Sequence, residues 1–162
     1  MKPIYRVGFG FDVHPLSEGR VFTLGGIQIP HDKGPVGHSD ADVLIHALCD
    51  ALLGAAGERD IGFHFPNTDP EFKGIDSKKL LERVMTILSS KKYQVGNVDI
   101  TICAEQPKIN PHLDNMKEIL VPIMGISKED MGIKATTNEK LGYIGREEGI
   151  AAYAVVMLYR EV

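Results

Sequence analysis

Ile4-Tyr-Arg-Val-Gly-Phe-Gly-Phe-Asp-Val13 sets β-branched and aromatic residues around Gly8 and Gly10, the composition of a strand. A strand-rich start followed by mixed helices and strands fits an α+β fold, a mixed β-sheet with helices packed on one face, better than a doubly wound sheet. Residues 21–29 resemble a second strand, broken by Gly25-Gly26, and are expected to pair with the first. Residues 42–56 have the composition of a helix. Ser39 is placed to cap it, with Asp42 completing the Ser-x-x-acid pattern and Gly57 stopping it.

Beyond this helix, residues 58–74 are dense in Gly, Pro, Asn and Asp and predict a long loop, whose Phe63, Phe65 and Phe72 argue for function rather than simple disorder. Leu80, Leu81, Val84, Ile87 and Leu88 recur at helical spacing and predict a second helix. Residues 98–104 predict a strand. Asn110-Pro111, in cap-then-proline order, predicts a third helix with Leu113, Met116, Leu120 and Ile123 as its apolar stripe and Gly125 at its end. Residues 131–136 and 150–158 predict further strands, the last so continuously apolar that core or another subunit is expected on both faces. With no repeat or linker, one domain over residues 1–162 is expected.

The overall composition narrows the partners. Hydrophobic residues make up 43% of 162 residues, enough for a core without staples. A balance of 18 basic to 22 acidic residues, net charge −4, speaks against an electrostatic grip on nucleic acid or an anionic membrane. Cys49 and Cys103 lack the paired spacing of a zinc knuckle or redox motif, so free, buried thiols in a reducing compartment are expected. No signal pattern precedes Phe11, and the apolar run 150–159 is half the roughly 20 residues of a spanning helix, so a soluble, cytoplasmic protein is expected.

Several residues could carry chemistry. In an extended segment, Asp12 and His14 project to the same side, which suits a metal, although a surface pair before Pro15 would look alike. On the first predicted helix Asp42, His46 and Asp50 form a narrow i, i+4 polar strip opposite Leu44, Ala47, Leu48, Ala51 and Ala55. One carboxylate and two imidazoles would leave an open position, as in catalytic zinc, and the same set can hold non-haem iron. His38-Ser39, where that helix is expected to begin, could receive a phosphate or serve as a plain cap. Residues 134–142 follow a strand and gather hydroxyls, a carboxylate and cationic side chains suited to phosphate and a hard cation. A Gly-x-Ser-x-Gly elbow, a P-loop and a dinucleotide fingerprint are all missing, and no serine or cysteine nucleophile stands out.

Taken in order, Gly10-Phe-Asp-Val-His14, His38-Ser-Asp-Ala-Asp-Val-Leu-Ile-His46, Asp60-Ile-Gly62, Phe65-Pro-Asn-Thr-Asp69 and Lys134-Ala-Thr-Thr-Asn-Glu-Lys-Leu-Gly142 resemble the 2-C-methyl-D-erythritol 2,4-cyclodiphosphate synthases over nearly the whole chain. The resemblance implies a Bacillus chorismate mutase-like fold assembled as a homotrimer, with active sites between neighbours. It implies a metal-dependent phosphorus–oxygen lyase of the non-mevalonate route to isoprenoid precursors. The substrate would be 4-diphosphocytidyl-2-C-methyl-D-erythritol 2-phosphate, whose 2-phosphate attacks the β-phosphorus and releases CMP.

By the same resemblance Asp12, His14 and His46 hold Zn2+ or another divalent transition metal, and Glu139 helps hold Mg2+ or Mn2+ at the diphosphate. His38 and Thr137 orient phosphate oxygens as the catalytic pair, and Ser39 adds to the phosphate site. Asp60, Ile61 and Gly62 take the ribose, and Phe65, Pro66, Asn67, Thr68 and Asp69 line the erythritol pocket. Ala104, Glu105, Gln106, Pro107, Lys108, Ile109, Asn110, Thr136 and Asn138 cradle the cytosine and its phosphates. Tyr143 and Arg146 border a cavity on the trimer axis that could take an isoprenoid diphosphate. Asn67 stands where the family pattern has aspartate, and Tyr143 where it commonly has phenylalanine.

Overall fold

A computed structural model describes residues 2–161; Met1 and Val162, the ends of the expected domain, lie outside it. A mixed five-stranded sheet runs β4-β1-β7-β5-β6, built from β1 (Pro3–Glu18), β4 (Lys33–Pro35), β5 (Gln94–Cys103), β6 (Met131–Thr136) and β7 (Gly149–Glu161). Only β5 and β6 are parallel; β1 pairs antiparallel with β7 along its length and with β4 at its end. The helices α1 (Val43–Ala55), α3 (Ser77–Ser90) and α4 (Leu113–Met124) pack on one face, α1 against β1 and β7, α3 against α1, and α4 against α3. The expected α+β architecture is therefore present.

Small side chains set how closely α1 lies on β1. Even-numbered residues of β1 face the helices, and Gly8 and Gly10 on that face are buried. A Cβ on Gly8 would fall 1.9 Å from the Ala51 carbonyl oxygen, and one on Gly10 the same 1.9 Å from that of Ala47. Two strand residues advance roughly 6.6 Å and four helix residues roughly 6 Å, so glycines two apart keep step with alanines four apart. The odd-numbered Tyr5, Val7, Phe9, Phe11 and Val13 point to the other face, where they stay exposed with Tyr153 and Val155. Thus β7, expected to be covered on both sides, is covered within the chain only on the helix side.

Residues 21–29 do not pair with β1. They fold back as a hairpin, β2 (Phe22–Leu24) with β3 (Ile27–Ile29), because Gly25 and Gly26 adopt φ of 60° and 80° and turn the chain. Nor does Ser39 cap α1. That cap is Asp42, fully buried, whose carboxylate accepts the amides of Ile45, Gly25 and Gly26 at 2.8–3.1 Å and so ties the hairpin turn to the helix. Burial, with the Asp40 charge, pushes the Asp42 carboxyl above its ordinary range, while those three amides pull the other way.

The expected loop over 58–74 carries a short helix α2 (Ile61–His64) and a 3-10 turn at Pro70–Phe72. Phe65 and Phe72 anchor it in the core with rings 5.4 Å apart. At the third helix, Asn110 begins a 3-10 turn rather than capping α4, which follows His112 without a side-chain cap and ends at left-handed Gly125 as expected. Cys49 is a buried free thiol; Cys103 is only partly buried.

Candidate metal centre and active-site cleft

Where the glycines of β1 give way to Asp12 and His14, the same helix-facing parity carries both side chains toward the first turns of α1. There His46 meets them. Asp12 Oδ2 lies 2.9 Å from His14 Nε2 and 3.2 Å from His46 Nδ1, and the two nitrogens are 3.2 Å apart. Three donor atoms around one tetrahedral zinc, with bonds near 2.0–2.1 Å, would stand roughly 3.3 Å apart, so the cluster fits a divalent ion. Among the described residues these three form the one group with such geometry. The three residues of the strip expected opposite the core face of α1 meet different partners: Asp42 the hairpin turn at Gly25 and Gly26, His46 the strand residue Asp12 and Ser77 of α3, and Asp50 the Ile61 amide.

Each histidine is oriented by a partner outside the triad. His14 Nδ1 donates to the Val36 carbonyl at 3.0 Å, which leaves Nε2 for the cluster, where it donates to Asp12 while the ring is protonated and offers a lone pair to a cation once that proton is lost. His46 Nε2 lies 2.9 Å from Ser77 Oγ and 3.1 Å from Ser39 Oγ, which leaves Nδ1 for the cluster. Burial works against ionised Asp12, but hydrogen bonds from His14 and His46 outweigh it and hold its carboxyl below the ordinary value. Burial likewise disfavours charged His14, yet the bond to Asp12 and its charge raise the imidazole above its usual range.

The triad stands in the wall of a cleft of about 370 Å3, lined also by Gly37, His38, Ser39, Asp50, Ile61, Gly62, Phe65, Asn67, Phe72, Ile75 and Leu80. Asp50, one turn beyond His46, accepts the Ile61 amide at 2.8 Å and so holds α2 over the cleft. Burial first, then the Asp60 and Asp12 charges, raise the Asp50 carboxyl against that hydrogen bond.

A protein-family model described as the YgbB family matches residues 5–159. The 2-C-methyl-D-erythritol 2,4-cyclodiphosphate synthase of Porphyromonas gingivalis is 59% identical over 162 residues, covering 100% of both chains. The chain belongs to the YgbB family. Among solved structures, a Plasmodium falciparum IspF described as a CDP complex is similar to this YgbB-family chain, with a TM-score of 0.85 and 32% identity over 98% of this chain and 97% of the other. The bifunctional IspDF of Campylobacter jejuni is similar with a TM-score of 0.94 and 39% identity over 99% of this chain, which spans 43% of that longer protein.

The remaining candidate residues of this YgbB-family chain divide between places. Ala104, Glu105, Pro107, Lys108, Ile109, Asn110, Thr136 and Thr137 line a second cavity of about 380 Å3, which shares no residue with the first. Gln106, Asn138, Glu139, Tyr143 and Arg146 line neither, nor do Asp60, Pro66, Thr68 and Asp69. His38 and Thr137, the expected catalytic pair, therefore face different cavities. Glu105 has a local task, since its carboxylate accepts the Asn138 and Lys140 amides at 3.0 and 3.2 Å. That grip holds Glu139 and Lys140 at φ of 53° and 62°, an unusual backbone for side-chain-bearing residues. Arg146 is paired with Glu148 at 2.9 Å.

Asp40, Ser77 and Val36 carry no sequence signal that marks them. Asp40 lies inside the quoted His38–His46 stretch but among more conspicuous neighbours, and Ser77 reads only as a helix start.

Proposed function

We propose that this chain converts 4-diphosphocytidyl-2-C-methyl-D-erythritol 2-phosphate to 2-C-methyl-D-erythritol 2,4-cyclodiphosphate with release of CMP, as a single 1–162 domain in a cytoplasmic homotrimer of the non-mevalonate route. The observation that carries this is the convergence of Asp12 Oδ2, His14 Nε2 and His46 Nδ1 within 3.2 Å of one another in the wall of a cleft. The names of relatives that match 96–100% of the chain, 2-C-methyl-D-erythritol 2,4-cyclodiphosphate synthases, support the product.

Asp12, His14 and His46 would hold zinc, and Glu139 would give a single carboxylate to magnesium or manganese, which usually takes its other ligands from phosphates and water. Bound there, such cations would neutralise charge on phosphoryl oxygens. The chain's own residues have a positioning task. An oxygen of the 2-phosphate bonds to the β-phosphorus while the bond from that phosphorus to the bridging oxygen breaks, and CMP leaves with that oxygen and the electron pair. The attacking group is already anionic and tethered, so no protein nucleophile is needed; well-oriented intramolecular reactions reach effective molarities of roughly 10⁵ M or more.

His38, Thr137 and Ser39 would orient the reacting phosphates, Asp60, Ile61 and Gly62 would take the ribose, and the Phe65–Asp69 segment would line the erythritol pocket. The Ala104–Asn110 segment with Thr136 would cradle the cytosine and its phosphates in the second cavity. Because the two cavities share no residue, a neighbouring copy would bring the second against the first, and the exposed apolar sheet face would be the surface buried in doing so.

The test is release of CMP from the diphosphocytidyl substrate, followed with phosphorus NMR, with chelator and with zinc restored. Chelation should abolish release and zinc should return it, with a cyclic diphosphate as product. A linear phosphate product would instead make the protein a phosphohydrolase and overturn the assignment.

A further inference from the structure

The two histidines of the triad are held by unlike partners. His14 leans on a neutral backbone carbonyl, whereas behind His46 stands a buried hydroxyl with a carboxylate of its own. Ser77, fully buried at the first position of α3, donates its hydroxyl proton to Asp40 Oδ1 in a short hydrogen bond. With that proton committed, Ser77 Oγ can meet His46 Nε2 at 2.9 Å only as an acceptor. Nε2 must then carry a ring proton, so the neutral ring has its lone pair at Nδ1, facing Asp12 and His14. Asp40 is itself fixed, since its Oδ2 accepts the Ser77 amide at 3.0 Å and its Oδ1 the Asp42 amide at 3.2 Å. Ser39 also reaches Nε2, but from 3.1 Å, with its oxygen already accepting the Ala41 amide and no carboxylate behind it.

We propose that Ser77 and Asp40 are positioning residues for the metal centre: the chain Asp40–Ser77–His46 fixes the His46 tautomer and ring plane, making Nδ1 the metal-binding atom and linking the start of α3 to metal affinity. The inference rests on the metal-site reading above and adds to it two residues outside the triad. Partners of this kind typically change metal affinity 10–100-fold when removed.

Zinc affinity of the metal-stripped protein, measured by competition with a chromophoric chelator, tests it. Ser77→Ala and Asp40→Asn should each weaken binding about 10–100-fold and alter the visible spectrum of the cobalt-substituted protein. Val84→Ala, which opens a cavity on the same helix at a fully buried position, should lower the denaturation midpoint and leave zinc affinity unchanged. Wild-type affinity in Ser77→Ala, or an equal loss in Val84→Ala, would overturn the proposal; if Ser77→Ala does not fold, Asp40→Asn decides it alone. Should the wild-type chain bind no stoichiometric zinc, or His14→Ala bind it as well as wild type, the metal-site reading itself has failed, an outcome separate from the two above.

Discussion

His46 touches every part of the centre, accepting orientation from α3 while offering Nδ1 to the residues of β1. His46→Ala should therefore lower the rate of CMP release by at least roughly 10²-fold, as loss of a transition-state electrostatic contact does elsewhere. Asp12 and His14 also make the metal-free protein sensitive to pH. The raised His14 contributes stability that is complete below its ordinary value of 6.5 and is lost as pH rises through the higher folded value. The lowered Asp12 contributes stability present above 3.8 and lost as pH falls through the lower folded value. Melting temperature in chelator should thus fall at both ends of this window, and added zinc should remove the alkaline decline because the cation replaces the shared proton. A flat alkaline limb without metal would contradict the assignment. Asp42 is a structural counterpart, and Asp42→Ala, by orphaning amides of Gly25, Gly26 and Ile45, should cost about 1–3 kcal/mol in urea denaturation.

At the scale of elements, the seat of α1 on β1 decides where the triad closes. Gly10→Ala would drive a methyl into the Ala47 carbonyl at 1.9 Å, a backbone atom that cannot swing aside. Destabilisation of roughly 1–3 kcal/mol or more is expected in urea titrations, with weakened zinc binding, since lifting α1 withdraws His46 from Asp12. A variant as stable and as metal-competent as wild type would show that the close approach is unimportant. The 58–74 segment is held in a different manner: Asp50 pins the amide of Ile61, and Phe65 with Phe72 reaches the core. Its aromatic residues stand out in sequence against simple disorder, but single rings spaced along a polar stretch leave no periodic trace of the core contacts they make, and nothing local marks the Asp50–Ile61 bond.

For the whole molecule, the prominent feature is the uncovered sheet face. Val7 is 71% and Phe9 62% exposed, beside Val155 at 44%, an apolar surface continuous across β1 and β7. In the proposed trimer this face is buried, and Val7→Asp should reduce the mass seen by sedimentation equilibrium and, with the shared sites lost, the activity too. A monomeric wild-type protein, or an unchanged mass in Val7→Asp, would remove the basis for sites between subunits.

The α+β class, the periodic helices α3 and α4, and strands β5, β6 and β7 were legible in sequence from local patterns of apolar residues, and α1 from its composition and its flanking cap and stop residues. Asp12 and His14 were legible as a pair from a local pattern too, the strand period of two. What joined His46 to them was not local: it depended on Gly8 and Gly10 letting α1 lie against β1 in step with its alanines, a distance that no single segment encodes. The hairpin at 22–29, the cap at Asp42 and the Asp40–Ser77 support were decided in the same way. Each is a polar or backbone group satisfied by a partner distant in the chain, and hydrogen bonds of that kind exist only once the layers have packed.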